Sequence, residues 1–404
     1  MTSELEHSEF TLGLERCAAE RPAMLEGARF GLLMNRASVD RDLRFACDVL
    51  SDAYPGQLAA LLTPQHGLWG DAQANMIETD HGWHSRLNIP IYSLYSATRT
   101  PTAEMLAGLD CFVIDLQDVG TRVYTFVWTM LECLQACAAA DVPVLVLDRP
   151  NPIGGRLVEG PMLDLAFRSF VGGASIPMRH GLTIGELARL LNSEQAIGAT
   201  LEVVPLENWS PSQSFASLGR AWIPPSPNLP RIESALVYPG QVLLEGTNLS
   251  EGRGTTTPFE VTGAPFIDAE VFCVDLNARR LPGVRFLPLA FRPTFDKWAG
   301  KTCQGVSIHV TDRDAYRPYR TTVELLAVVQ QHWPQRFEWL DPPYEYETEL
   351  RPIDIISGSE NLRTSLERED QSLLESISSC PLASWQERVS AVVLYGTSNL
   401  RLVS

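Results

Sequence analysis

The chain has 404 residues, 45% hydrophobic and 20% charged, with a formal net charge of −17. That length exceeds one ordinary core and predicts two domains. The acid excess argues against nucleic acid, whose phosphates call for cations, and against an anionic membrane surface. No run approaches the roughly 18 apolar residues of a spanning helix.

The first twenty residues are acidic and lack the basic and apolar regions of a signal peptide. Eight cysteines lie scattered, mostly in apolar runs, with no C-x-x-C. That usage reads as buried, reduced thiols in a cytoplasmic protein.

Residues 1–28 read as a lead-in helix. Ala28–Met34 is a short apolar run and reads as a buried strand. Asp40–Ala53 sets Leu43, Ala46, Cys47 and Leu50 on one helical face. Leu58–Leu62, Ile89–Leu94, Cys111–Leu116 and Val142–Leu147 read as further strands. Between them fall a short helix over Pro101–Leu109, capped by Thr100, and a long apolar helix over Tyr124–Ala140. Thr183–Gln195 reads as an amphipathic helix with Thr183 and Glu186 as a capping box. Leu201–Pro205 reads as one more strand.

Strands alternating with helices predict an α/β fold: a Rossmann-like doubly wound parallel sheet. There is no G-x-G-x-x-G after the first strand, so no dinucleotide is expected. Ala221–Pro230 (AWIPPSPNLP) holds four prolines in ten residues and reads as a stiff boundary. It divides residues 1–230 from a smaller α+β domain over 231–404. In that domain Val271–Leu276, Val284–Pro288 and Gly305–Thr311 read as strands. Thr321–Trp333, Thr364–Ile377 and Ser384–Leu394 read as helices.

Ligands of open α/β sheets bind outside the carboxyl ends of the strands. Polar clusters follow the strands here: Asn35-Arg36, Gln65-His66, Tyr95, Asp115 with Gln117-Asp118, and Asp148 through Asn151. Arg122 follows Asp118, and Glu159 and His180 lie in later turns. One further stretch, Leu243–Phe259, suits neither a strand nor a helix interior. It packs Glu245, Asn248, Glu251 and Arg253 among three glycines near the domain boundary, where clefts form. Each cluster alone reads equally as a solvated turn or a local ion pair. His81 and His84 with Asp71 and Glu78 offer a metal reading, but Gly82 disfavours the regular element it needs, and no metal is expected. There is no G-x-S-x-G and no phosphate loop. The remaining inventory of carboxylates, amides and aromatics suits carbohydrate chemistry.

These motifs, in order from Gln65-His66-Gly67 through Leu116–Arg122, Leu147–Pro152, Val158–Pro161, His180–Thr183, Pro225–Asn228 and Glu245–Thr255, resemble the NamZ (YbbC-like) exo-β-N-acetylmuramidases. The resemblance implies a site between two domains. It implies release of terminal N-acetylmuramic acid from the non-reducing end of peptidoglycan fragments, with no cofactor and a saccharide or muropeptide as partner. It implies Arg122 or Arg253 for the lactyl carboxylate. Asp118, Asp148, Asn151, His180, Asn228, Glu245 and Asn248 would position the sugar, with His66 and Asp115 beside the chemistry. In the characterised members a glutamate precedes His-Gly and is the proposed catalytic carboxylate; here it is Gln65, which cannot titrate. The acid would then pass to Glu159, Glu251, Asp115 or Glu78, in that order. The alternative is a muropeptide-binding protein without turnover. An imported fragment in cell-wall recycling reconciles such a substrate with a cytoplasmic chain.

Overall fold

A computed structural model describes residues 9–72, 77–370, 376 and 378–396. The short apolar runs of the first half become one seven-stranded sheet. Its strands are β1 (Phe30–Met34), β2 (Leu58–Thr63), β3 (Gly82–His84), β4 (Ile89–Ser93), β5 (Cys111–Asp115), β6 (Val144–Leu147) and, later in the chain, Leu201–Val204. Across the sheet the order is β3, β4, β2, β1, β5, β6 and then Leu201–Val204. Every neighbouring pair is parallel except β3 with β4. The chain moves outward from β1 to β4, then returns to β5 on the other side of β1. That reversal makes the sheet doubly wound.

Both faces are covered, which is why the strands read as continuous apolar runs. Helices α1 (Gly13–Glu20) and α2 (Ala46–Ala53) cover one face, with Leu14, Leu32, Leu50 and Val113 in a shared cluster. Helix α3 (Ala103–Leu106) follows β4. Helices α4 (Phe126–Ala139) and α5 (Ile184–Glu194) lie against the other face. The capping box of α5 is present as read, Thr183 Oγ1 accepting from the Glu186 N–H at 3.2 Å.

The second lobe begins after the proline-rich segment with α6 (Ile232–Gln241). A three-stranded antiparallel sheet follows, ordered Val261–Ala264, Cys303–Val310, Val284–Phe291. It carries α7 (Ala269–Ala278) and α8 (Pro318–His332), then short helices over Pro352–Ser357, Asn361–Glu367 and Leu382–Val389. The core beside α4 and α5 continues into this lobe: Phe112, Leu134 and Leu187 belong with Leu243, Phe272, Leu326 and Ile356.

Several expected elements are corrected. Val271–Leu276 is helical within α7, because Asp268 accepts from the Glu270 and Val271 N–H groups and caps a helix. The helix expected over Asp40–Ala53 starts only at Ala46. Asp40 instead accepts from the Asp42 and Arg44 N–H groups, and Leu43 sits at φ +61. Thr102, not Thr100, caps α3. The lead-in helix shrinks to Gly13–Glu20, and its expected first eight residues lie outside the described part. The helix expected over Thr364–Ile377 is Asn361–Glu367, and most of its expected end also lies outside.

Candidate active site

The chain leaves β2 as Pro64-Gln65-His66, with His66 at φ +74. Gln65 and His66 form one wall of a narrow cleft with a cavity volume of only about 30 Å³. Opposite and around them stand Tyr124 and Thr125 ahead of α4, Ser226 and Asn228 of the proline-rich segment, and Tyr238 of α6. Glu245, Arg253 and Phe259 come from the glycine-rich loop, and Tyr344 and Glu345 from the segment after α8. Both lobes therefore contribute.

The glycine-rich loop is held from within. Arg253 Nη2 donates to Glu245 Oε1 at 2.6 Å, and Tyr344 Oη donates to Glu245 Oε2 at 2.6 Å. Arg253 Nε lies 3.1 Å from Glu251 Oε1, and Lys297 Nζ lies 2.7 Å from Glu251 Oε2. Lys297 also donates to the Leu244 and Thr247 carbonyls. The Arg253 guanidinium stands over the Phe259 ring, 5.1 Å from its centroid, and Phe259 packs edge-on to Tyr238. Gly254 has φ +75, and an added Cβ would meet the Phe295 N at 2.7 Å, so only glycine fits there.

Glu251 is fully buried. Burial opposes its ionisation, but Lys297 and Arg253 prevail and hold its carboxyl below the usual range. A group held ionised is a poor proton donor near neutral pH. His66 behaves as a neutral ring, since burial pushes it down to about 4. Its Nδ1 lies 2.6 Å from the Ala72 carbonyl, which can only accept, so the proton is on Nδ1 and Nε2 is left as an acceptor.

Of the residues read from the sequence, Gln65, His66, Asn228, Glu245 and Arg253 line the cleft, and Glu251 stands behind Arg253. The others do not line it. Asp115 is buried in a two-pronged ion pair with Arg149, at 2.5 and 2.8 Å. Asp148 accepts from Thr183, Gly185, Arg149 and Tyr395 and pins α5 to the sheet. Asn151 bonds to Leu182 O and Ile153 N. Asp118 Oδ2 accepts from Gly120 N and lies 3.2 Å from His180 Nε2, both groups buried. Asn248 bridges to the Arg336 carbonyl and the Glu338 N–H.

Arg122 is fully buried and spends two nitrogens on four carbonyls: Pro161, Ile176, Ile356 and Ser357. That leaves it no fork to offer a substrate carboxylate. Glu159 Oε1 accepts from Arg320 N at 2.9 Å, in the first turn of α8, which has no side-chain cap of its own. Glu159 is thus a cap supplied across the lobes, and it is not among the residues that line the cleft.

Glu345 and its neighbours Tyr95, Thr125 and Tyr344 escaped the sequence reading as a set. The available signal was Pro342-Pro343-Tyr344-Glu345-Tyr346, an acid between two tyrosines in a segment with no helical or strand period. Among the described residues no three His, Cys, Asp or Glu side chains gather as a metal site. His81 and His84 each use Nδ1 to accept a backbone N–H, from Ser93 and Leu87.

A two-lobed α/β protein with a carboxyl-lined interlobe cleft is the class these features define. The family model for the N-terminal part of the exo-β-N-acetylmuramidase NamZ matches residues 30–233, and that for its C-terminal part matches 236–395. The chain belongs to the NamZ exo-β-N-acetylmuramidase family. It is 41% identical over 355 residues to the peptidoglycan β-N-acetylmuramidase NamZ of Bacillus subtilis, covering 88% of this chain and 84% of that protein. Two crystal structures of DUF1343 family proteins from Bacteroides fragilis are also similar. One has a TM-score of 0.87 at 32% identity and the other 0.73 at 26%, each covering 96% of this chain and 99% of its own.

Proposed function

We propose that this protein is a glycoside hydrolase that releases terminal N-acetylmuramic acid from peptidoglycan fragments. The observation that carries this reading is a cleft holding two carboxyl groups in contrasting surroundings. Glu245 is paired with Arg253, while Glu345 is buried and, among the described residues, has no direct ion pair. A carboxyl pair with divergent environments is what acid-assisted glycosidic cleavage uses. Likeness to the B. subtilis enzyme across both lobes supports the substrate class. The test is hydrolysis of a chromogenic N-acetylmuramic acid β-glycoside by the purified protein. Turnover supports the reading. Binding without turnover favours the competing one, a muropeptide-binding protein, which draws on the amide at Gln65.

The lactyl carboxylate distinguishes N-acetylmuramic acid from N-acetylglucosamine. In this reading Arg253, at the cleft wall, recognises it. Arg253→Lys keeps the charge but loses the planar set of donors whose Nε and Nη2 already hold Glu251 and Glu245. The ratio of kcat/KM for the two sugars is expected to fall about tenfold or more, the worth of one charge-assisted hydrogen bond. The ratio is independent of how much variant folds, and an unchanged ratio sinks the assignment. The cytoplasm is our proposed compartment, on imported fragments in cell-wall recycling. All eight cysteines are free and buried, in keeping with a reducing environment.

A further inference from the structure

We infer that Glu345 donates the proton to the leaving group, and that Tyr95 and Gln65 are the positioning residues that aim it. This rests on the glycosidase reading above. Three hydrogen bonds run in one direction. Thr125 Oγ1 donates to Gln65 Oε1 at 2.7 Å, Gln65 Nε2 donates to Tyr95 Oη at 3.2 Å, and Tyr95 Oη donates to Glu345 Oε2 at 2.8 Å. The Thr125 hydroxyl fixes which end of the amide is oxygen. The amide then leaves Tyr95 only one use for its own proton, and that use is Glu345. With Oε2 occupied as an acceptor, the acid proton belongs on Oε1.

The backbone is built to hold the carboxyl there. Glu345 at φ +43 and Tyr346 at φ +69 are consecutive left-handed residues with side chains. Each such residue costs on the order of 1–3 kcal/mol and persists only where its surroundings dictate it. Arg99 supplies part of that dictation. Its guanidinium lies 4.3 Å from the ring centroids of both Tyr95 and Tyr346, joining the loop after β4 to the segment that carries Glu345.

The charged and titratable neighbours are Tyr95 and Arg99 from the first lobe, Glu245 and Arg253 from the glycine-rich loop, and Tyr344 and Tyr346 on either side. Burial pushes Glu345 up to about 7. Glu245 adds to the rise, while Tyr95, Gln65 and Arg253 oppose it. An acid with that affinity is about half protonated at neutral pH, close to the match a general acid needs. In the reaction that proton passes to the glycosidic oxygen as the bond from the anomeric carbon breaks. The bonding pair stays on that oxygen, and the aglycone leaves as an alcohol. Water adds its hydroxyl to the anomeric carbon, and the proton it sheds restores Glu345. Glu245, held by Arg253 and Tyr344, faces the positive charge that develops on the sugar.

The experiment compares two substrates, N-acetylmuramyl-β-1,4-N-acetylglucosamine and the 4-nitrophenyl β-glycoside of N-acetylmuramic acid. Glu345→Gln is expected to cleave the disaccharide about 10²–10⁴-fold more slowly. The nitrophenyl glycoside, whose leaving group departs without a proton, is expected to lose far less. Equal losses on both substrates overturn the inference, as does a disaccharide rate equal to wild type. Inert wild-type protein would instead overturn the glycosidase reading itself. Tyr95→Phe gives an independent arm should the first variant fold poorly. It removes a donor that favours the ionised carboxyl, so the alkaline limb of kcat/KM moves to higher pH. A limb that stays in place overturns the assignment.

Discussion

Arg122→Ala is expected to leave little or no folded protein. The guanidinium reaches the Pro161 and Ile176 carbonyls at 2.7 and 2.9 Å, and those of Ile356 and Ser357 at 3.0 and 2.8 Å. The first two lie in the first lobe and the last two at the end of the helix Pro352–Ser357 in the second. Alanine would leave four buried acceptors without a donor. Each orphan costs about 1–3 kcal/mol, and the sum rivals the roughly 5–15 kcal/mol that stabilises a whole protein. Repacking cannot relieve this from the neighbouring turn. Gly358 has φ +93, and even a Cβ there would meet Arg122 Nη2 at 2.8 Å. Arg122→Lys should be milder but still damaging, since one ammonium cannot span four carbonyls on two lobes. Urea unfolding of the purified variants measures this. A variant within about 1 kcal/mol of wild type would refute the account.

Stability is also expected to rise as pH falls from 8 towards 5.5. Burial is the first cause in each of four carboxyl groups: it pushes Glu159, Glu186 and Glu345 up to about 7 and Asp148 to about 6. In the unfolded chain such groups titrate near 4. Between those values the folded state holds more protons than the unfolded one, so stability falls as pH rises and recovers as pH drops. Each glutamate contributes about 2 kcal/mol between pH 7 and pH 5 on this reckoning. His66, pushed down to about 4 by burial, acts oppositely below pH 6.5 and offsets about 1.5 kcal/mol of the gain at pH 5.5, while the depressed carboxyl of Glu251 acts oppositely only at still lower pH. The midpoint of thermal unfolding at pH 5.5 should exceed that at pH 8, and a midpoint highest at pH 8 would contradict the burial of these groups.

The sheet was legible because its strands are buried on both faces and stand out as apolar runs between helical patterns. Val271–Leu276 misled because Val271, Cys273 and the apolar residues around them suit either element, and the decisive residue, Asp268, acts through a cap just outside the run. Of the residues that line the cleft, Gln65, His66, Glu245 and Arg253 stood out because glycines and strand ends mark them, and Asn228 only through the family resemblance. Arg122 and Glu159 carry the same chemistry in the same kind of motif, yet they fasten the lobes. Residue type and spacing do not say whether a guanidinium meets a ligand or a carbonyl. Glu345 stayed hidden because its partners, Gln65 and Tyr95, lie about 250 residues and more upstream, and only the folded chain brings them together.

The core that runs from beneath α4 and α5 into the second lobe bears on how such a protein can be inherited. Leu134 and Leu187 share that core with Phe272 and Leu326, so a gene cut at the proline-rich segment would encode two halves, each with an apolar wound. The segment looks like a seam between modules, but separating the halves there would expose the core they share. A change to a core residue in one half is therefore expected to be judged by its fit to the other.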